Sequence, residues 1–208
     1  MGSAKFITLE GMEGAGKTTC LKFIRGYFDA LEIPLLITRE PGGTPFAEEI
    51  RSLLLSPREE KVSDEVELLL MFAARAQHLE QKIMPALQSG RWVLSDRFTD
   101  ATYAYQGGGR GIDSADIERL EQMVQKGLQP DLTLFLNIPI EIGLARARGR
   151  GELDRFEQQE VDFFERTRDV YLQRAEQYAS RFVVIDTNRS LDDVYESISQ
   201  ALDQFVKG

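Results

Sequence analysis

Eight residues near the N-terminus, Gly11-Met12-Glu13-Gly14-Ala15-Gly16-Lys17-Thr18, have the spacing of a phosphate-gripping loop: glycine, four residues, glycine, lysine, hydroxyl. Polyphosphate binding is the chemistry that needs this spacing. Glycines let successive backbone N–H groups wrap an anion, and a helix starting at the end of the loop adds the positive end of its dipole. Lys17 is expected to reach the outer phosphates and the Thr18 hydroxyl to ligate Mg2+, with Thr19 beside it. An ordinary glycine-rich turn is the plainer alternative, but strand-like residues (Phe6, Ile7, Leu9) before the loop and a helical pattern after it argue for the phosphate site.

Other residues point to the same chemistry. Asp96 ends an apolar run, where a carboxylate can orient Mg2+ through water, and a simple strand-end turn is the alternative. Arg97 follows it and suits the bridging of phosphates. Four arginines, Arg146, Arg148, Arg150 and Arg155, fall within ten residues interrupted by Gly149 and Gly151. A solvated helix face would explain them. A mobile lid carrying planar, two-point phosphate donors explains better why every cation is arginine. The segment TREPGGT (38–44) leaves an apolar run through a charged pair and a Pro-Gly-Gly turn, and Arg51 lies two turns into the helix that follows. Phe72 and Arg75, three residues apart, share a helix face; on residue types alone they read as a core aromatic and a surface arginine.

The elements that must hold these groups alternate. Strands are expected at 6–10, 34–39, 91–96, 131–137 and 181–186. Helices are expected at 18–31, 46–55, 64–88, 113–127, from 141 to the arginine segment, 158–180 and 191–206. Thr44-Pro45 marks a helix start, Pro85 is expected to kink the last turn of the long helix, and QGGGRG (106–111) reads as a flexible loop. Strands that are almost wholly apolar, each followed by a helix, imply an α/β fold with a parallel sheet covered on both faces. Ligands then belong at the carboxyl ends of the strands, where the unusual loops fall.

Composition removes several classes. The 208 residues suit one domain, with the arginine segment at about 146–155 as a lid. The net charge of −9 argues against a nucleic-acid partner. No apolar run approaches the length of a membrane span, and no signal peptide is expected. A single cysteine, Cys20, excludes an internal disulfide framework and fits a reducing, cytoplasmic location. The single histidine, His78, lacks partners at zinc-ligand spacing. An Asn-Lys-x-Asp base-reading motif is absent, which speaks against a switch GTPase.

Taken together, LEGMEGAGKTT, TREPGGT, LLLMFAAR, the DRF at 96–98, TYAYQGGGRG and RGRGELDR resemble the bacterial thymidylate kinases of the nucleoside-monophosphate kinase superfamily, from residue 5 to about 165. The resemblance implies a P-loop NTPase-type three-layer sandwich with a five-stranded parallel sheet, a small arginine-rich lid, and ATP-dependent phosphorylation of dTMP to dTDP with Mg2+. It implies that Gly11 to Thr19 and Arg146 hold ATP, and that Glu13 faces the acceptor sugar or the lid. Arg39, Arg51 and Arg97 would bind the acceptor phosphate. Phe72 would stack on thymine, Arg75 and Thr102 would read its edge, and Tyr105, with Gln106 nearby, would exclude a 2′-hydroxyl. One class of these kinases carries a catalytic arginine in the phosphate loop; Gly14 stands there, so the resemblance moves that role to Arg150 in the lid. Many relatives place the stacking phenylalanine four residues before the arginine, where this chain has Met71. The family forms homodimers. A deoxynucleoside kinase using Glu13 or Glu40 as base, and a non-catalytic nucleotide-binding module, are the rival readings.

Overall fold

The computed structural model describes residues 4–149 and 154–207. Strand β1 (Phe6–Gly11) is buried along its whole length and lies at the centre of the sheet. It pairs in parallel with β3 (Trp92–Asp96) on one side and with β4 (Leu132–Asn137) on the other. The edges are β2 (Leu35–Arg39) and β5 (Phe182–Asp186), giving the order β2-β3-β1-β4-β5 with every pairing parallel. This is the expected five-stranded α/β sheet.

Alternation along β1 decides what covers each face. Ile7 and Leu9 pack with Cys20, Ile24 and Phe28 of α1 (Lys17–Ala30) and with Val194, Ile198 and Leu202 of the last helix. Phe6 turns to the opposite face, edge-on to the Phe98 ring at 4.9 Å between centroids. Thr8 and Glu10 share that opposite face, so its centre is polar. The Thr8 and Thr133 hydroxyls hydrogen-bond at 2.9 Å, and the Glu10 carboxylate accepts from the backbone N–H of Phe98 and the hydroxyl of Tyr171, each at 2.8 Å.

Helix α2 (Pro45–Leu55) starts where Thr44-Pro45 predicts, with the Thr44 hydroxyl accepting from the Ala47 N–H at 3.3 Å. The expected long helix runs as α3 (Asp64–His78) and α4 (Met84–Gln88), joined by a π-helical turn at Leu79–Ile83. The distortion therefore precedes Pro85 rather than falling in the last turn. Proline lacks an N–H and its ring crowds the carbonyl four residues earlier, so the preceding turn is the one that widens.

After β3 come α5 (Thr99–Thr102) and a second π-helical segment, Tyr103–Gly109. The sequence reading made 106–111 a flexible loop. Instead, residues up to Gly109 are helical and press against α8 (Val161–Gln177). A Cβ on Gly108 would lie 2.6 Å from the Arg166 carbonyl oxygen, and one on Gly109 would lie 2.4 Å from the Phe163 ring. These glycines serve close helix packing, a role composition cannot distinguish from loop flexibility. Helices α6 (Ser114–Gln125), α7 (Ile140–Arg148) and α9 (Leu191–Lys207) complete the chain.

Candidate active site

Strands β1, β2 and β3 end at Gly11, Arg39 and Asp96, so their carboxyl ends deliver the phosphate loop, the TREPGGT segment and the Asp96-Arg97 pair to one edge. Two clefts open there and share Glu40, Arg51, Arg97 and Asp154. The outer cleft, about 450 Å³, is lined by Glu13, Gly14, Gly16, Lys17, Thr18 and Thr19, with Arg39, Asp96 and Arg146 across from them. The inner cleft is a slot lined by Met71, Arg75, Phe98, Thr102, Tyr105, Gln106 and Phe156.

The loop is shaped by contacts that admit no side chain. Gly14 has φ +72°, and a Cβ there would lie 2.0 Å from the Gly143 carbonyl oxygen of α7. A loop arginine at this position is sterically impossible in this packing. The same contact seats α7 on the loop, and Arg146 follows Gly143 by one helical turn, which brings it to the outer cleft. Met12 and Ala15 bury their side chains in the core. Lys17 donates to the carbonyl oxygens of Gly11 and Met12 at 2.8 and 3.1 Å. Burial first, and the charge of Arg97 second, lower its pKa.

Arg97 stands where the clefts meet. Its Nη2 donates to Glu13 Oε1 at 2.7 Å and to the Tyr105 hydroxyl at 2.8 Å, and its guanidinium lies over the Tyr105 ring, 4.6 Å from the centroid. Its backbone adopts φ +69°, left-handed geometry that is uncommon for a residue with a side chain. Hydrogen bonds hold that turn: Arg97 N–H to the Leu9 oxygen at 3.0 Å, the Ser95 hydroxyl to the Arg97 oxygen at 2.7 Å, and Phe98 N–H to Glu10. The Tyr105 hydroxyl donates to Glu13 Oε2 at 2.8 Å. Burial would raise the Glu13 pKa, but Arg97 and Lys17 outweigh it and hold the carboxyl below its usual range.

Lys17, Arg39, Arg51, Arg97 and Arg146 all line the outer cleft, with Glu13 pairing Arg97 and Glu48 pairing Arg39. Burial, then the like charges of Arg39 and Arg97, lower the pKa of Arg51. Arg51 donates to the Pro41 oxygen at 2.9 Å, and Arg39 pairs with Glu48 at 2.9 Å on the exposed rim. Arginines that repel one another around one cavity make a site for a multiply charged anion. Asp96 Oδ1 is buried without a hydrogen-bond partner among the described residues, and the Thr18 hydroxyl lies exposed in the same cleft. An unsatisfied carboxylate oxygen and a hydroxyl facing a phosphate loop fit the oxygen-ligand preference of Mg2+.

In the slot, Arg75 is aimed from both sides. Its Nε donates to Glu40 Oε2 at 2.7 Å and its Nη2 to the Thr102 hydroxyl at 2.9 Å, while Nη1 has no partner among the described residues. Gln106 donates to Glu67 Oε1 at 2.9 Å.

Three expectations need correction or closure. Phe72 does not line the slot. It is 2% exposed, packed with Leu68 and Ile117, with the Arg75 guanidinium over its ring at 4.8 Å. Met71 takes the lining position, because Arg75 lies one full turn beyond it. Arg155, expected among the lid arginines, donates to the Leu54 oxygen at 2.8 Å and to the fully buried Glu67 at 2.6 Å, which fastens this segment to α2 and α3. Arg150 lies outside the described residues, while Arg148 is exposed at the end of α7. The sequence reading missed Glu67, Asp154 and Phe156: Asp154 and Phe156 line the clefts where the chain returns to them, and Glu67 on α3 anchors Arg155.

Comparison with known proteins agrees with this geometry. A family model described as thymidylate kinase matches residues 9–198. The chain belongs to the thymidylate kinase family. It is 57% identical over 202 residues to the thymidylate kinase of Hahella chejuensis, covering 97% of each chain. It is 56% identical over 199 residues to that of Neisseria gonorrhoeae, covering 96% of each. The crystal structure of thymidylate kinase from Ehrlichia chaffeensis superposes with a TM-score of 0.79 at 30% identity, over 97% of this chain and 99% of that one. The fold is therefore the P-loop kinase type, and the chain is an enzyme, a nucleotide-binding phosphotransferase. Among its described residues, no helix is long and apolar enough to cross a membrane.

Proposed function

We propose that the inner slot receives dTMP and the outer cleft receives ATP, so that their phosphates meet at Arg97 and Arg51 and the γ-phosphoryl group passes in line to give dTDP. The observation that carries this reading is the junction itself: a phosphate loop and a slot holding a spare Arg75 donor converge on shared arginines. Arg39, Arg51 and Arg97 hold the acceptor phosphate. Lys17 and the loop glycines hold the donor. Thr18 and Asp96 would hold Mg2+, which neutralises phosphate charge when bound with ATP. Arg146 approaches from α7, and by family resemblance Arg150 meets the charge that develops in transfer.

Little proton chemistry is required. A phosphate monoester loses its second proton near pH 6, so the acceptor is already an oxyanion at neutral pH. Alignment and charge neutralisation are the protein's task. The carboxylates that a nucleoside kinase would use as base are poorly suited to it here: Glu13 is tied to Arg97 and Tyr105, Glu40 to Arg75, and both have lowered pKa values, for which burial is the opposing cause. Glu13 and Tyr105 instead border the acceptor sugar, Met71 covers the base, and Arg75, Thr102 and Gln106 read its edge.

Measuring ADP release with each nucleoside monophosphate, and with thymidine, tests the reading. The dTMP rate should be highest. dUMP should lose about tenfold or more, the worth of one methyl group in an apolar pocket. Thymidine and the purine monophosphates should be poor, and equal turnover of dAMP or dGMP would overturn the assignment. An outward row of Val66, Leu69 and Ala73 on α3, with Met84 and Met123 lining a groove beyond it, supports a homodimer, which sedimentation would check.

A further inference from the structure

We propose that His78 is a positioning residue for pyrimidine recognition: it fixes the Glu40 carboxylate, which in turn aims Arg75 into the slot. The proposal rests on the reading that the slot takes the base of the acceptor.

His78 is wholly buried on α3, one turn beyond Arg75. Its Nδ1 lies 3.0 Å from Glu40 Oε1 and its Nε2 lies 2.7 Å from the Thr38 hydroxyl. Glu40 is kept ionised: burial favours the protonated form, but Arg75 and the His78 hydrogen bond outweigh it. An ionised carboxylate only accepts, so Nδ1 carries a proton and donates to it, while Nε2 lies within hydrogen-bond distance of the Thr38 hydroxyl. The remaining Glu40 oxygen accepts from Arg75 Nε at 2.7 Å, and Arg75 Nη2 donates to Thr102 at 2.9 Å. A single chain of hydrogen bonds, Thr38–His78–Glu40–Arg75–Thr102, thus crosses from β2 to α5. It leaves one donor of the guanidinium, Nη1, without a partner among the described residues.

The TREPGGT segment is built around this ring. Thr38 and Glu40 bond it from two sides, and Gly43 closes over it, where a Cβ would lie 2.4 Å from Nε2. Lys82, one turn beyond His78, donates to the Gly43 oxygen at 2.8 Å and holds the closure. Without the His78 donor, Glu40 keeps one anchor and is free to rotate about its last torsion, and Arg75 loses its fixed direction. A buried hydrogen bond to a charged group is worth enough to change ligand affinity about tenfold or more.

Steady-state kinetics of the full chain, with each substrate varied in turn, test this. His78→Leu should raise the KM for dTMP about tenfold while kcat and the KM for ATP stay within about twofold. His78→Asn, whose amide can stand where Nδ1 does, should recover to within about threefold of the parent. Thr38→Val, which keeps the strand but removes the hydroxyl, should raise the dTMP KM about threefold. If His78→Leu unfolds, Thr38→Val decides. An unchanged dTMP KM in every folded variant, or an asparagine variant no better than a folded leucine variant, would overturn the proposal. Arg75→Ala separates the two readings: if it leaves the dTMP KM unchanged, the slot assignment fails; if it raises that KM while the His78 and Thr38 variants do not, only the positioning role fails.

Discussion

Met71 and Phe72 are neighbours in sequence with different environments, so replacing each alone separates pocket from core. Phe72 is 2% exposed among Leu68, Ile117 and the Arg75 guanidinium. Truncation to alanine should cost about 3–5 kcal/mol. At about 2–4 °C per kcal/mol for a chain of this size, that lowers Tm by roughly 6–20 °C. Because an empty space beside Arg75 would also disturb its aim, Phe72→Leu is the cleaner variant. It keeps most of the volume, costs about 1.5 kcal/mol or roughly 3–6 °C, and should leave the dTMP KM within about threefold. Met71 is half-buried and faces the slot. Met71→Ala should remove about 1–3 kcal/mol of apolar contact with the base, raising the dTMP KM about tenfold or more with a small change in Tm. Thermal unfolding without ligand and KM measured at saturating ATP supply both readouts. A Phe72→Leu variant that keeps its Tm but loses dTMP affinity, beside a Met71→Ala variant with normal KM, would refute the assignment and return the stacking role to Phe72.

The donor site predicts that Lys17→Ala lowers kcat by about 10²-fold or more while Tm shifts little, because its hydrogen bonds among the described residues stay within its own loop, to the Gly11 and Met12 carbonyls; unimpaired turnover would dismiss the loop as the donor site. Arg155→Ala should lower stability by up to about 3 kcal/mol, since among the described residues buried Glu67 then keeps Arg110 and Gln106, whereas Arg146→Ala should leave Tm alone and change turnover; unfolding and kinetics on both variants check the contrast. Glu10 predicts a pH effect. Burial, then the Asp100 charge, push its carboxyl from 4.5 up to about 8. The folded chain then holds a proton that the unfolded chain releases, so this group's contribution falls as pH rises from about 4.5 to 8 and levels off above. Glu10→Gln should flatten that part of the Tm profile between pH 5 and 9, and an unchanged slope would show that Glu10 is ionised throughout.

The local patterns were legible because their causes are local. Alternating apolar strands and helices specify a covered parallel sheet, and the glycine-lysine-threonine spacing, set between a strand and a helix, specifies a loop of the phosphate-binding type. Asp96 and Arg97 were legible as a strand end. Other assignments depended on which surfaces meet. Helical spacing puts Met71 and Phe72 on adjoining faces about equally near Arg75, and only the packing of α6 against α3 buries one and leaves the other to the slot. Gly108 and Gly109 look like loop residues until the approach of α8 shows what they make room for. Arg155 sits among lid arginines in the sequence, but Glu67, eighty-eight positions earlier, claims it. The type and spacing of residues determined the fold class, the phosphate loop and the chemistry. Which arginine lines a cleft and which pairs with the buried Glu67 was decided by tertiary structure, because a guanidinium's partner is set by distance in space and by the cost of leaving a buried charge unpaired.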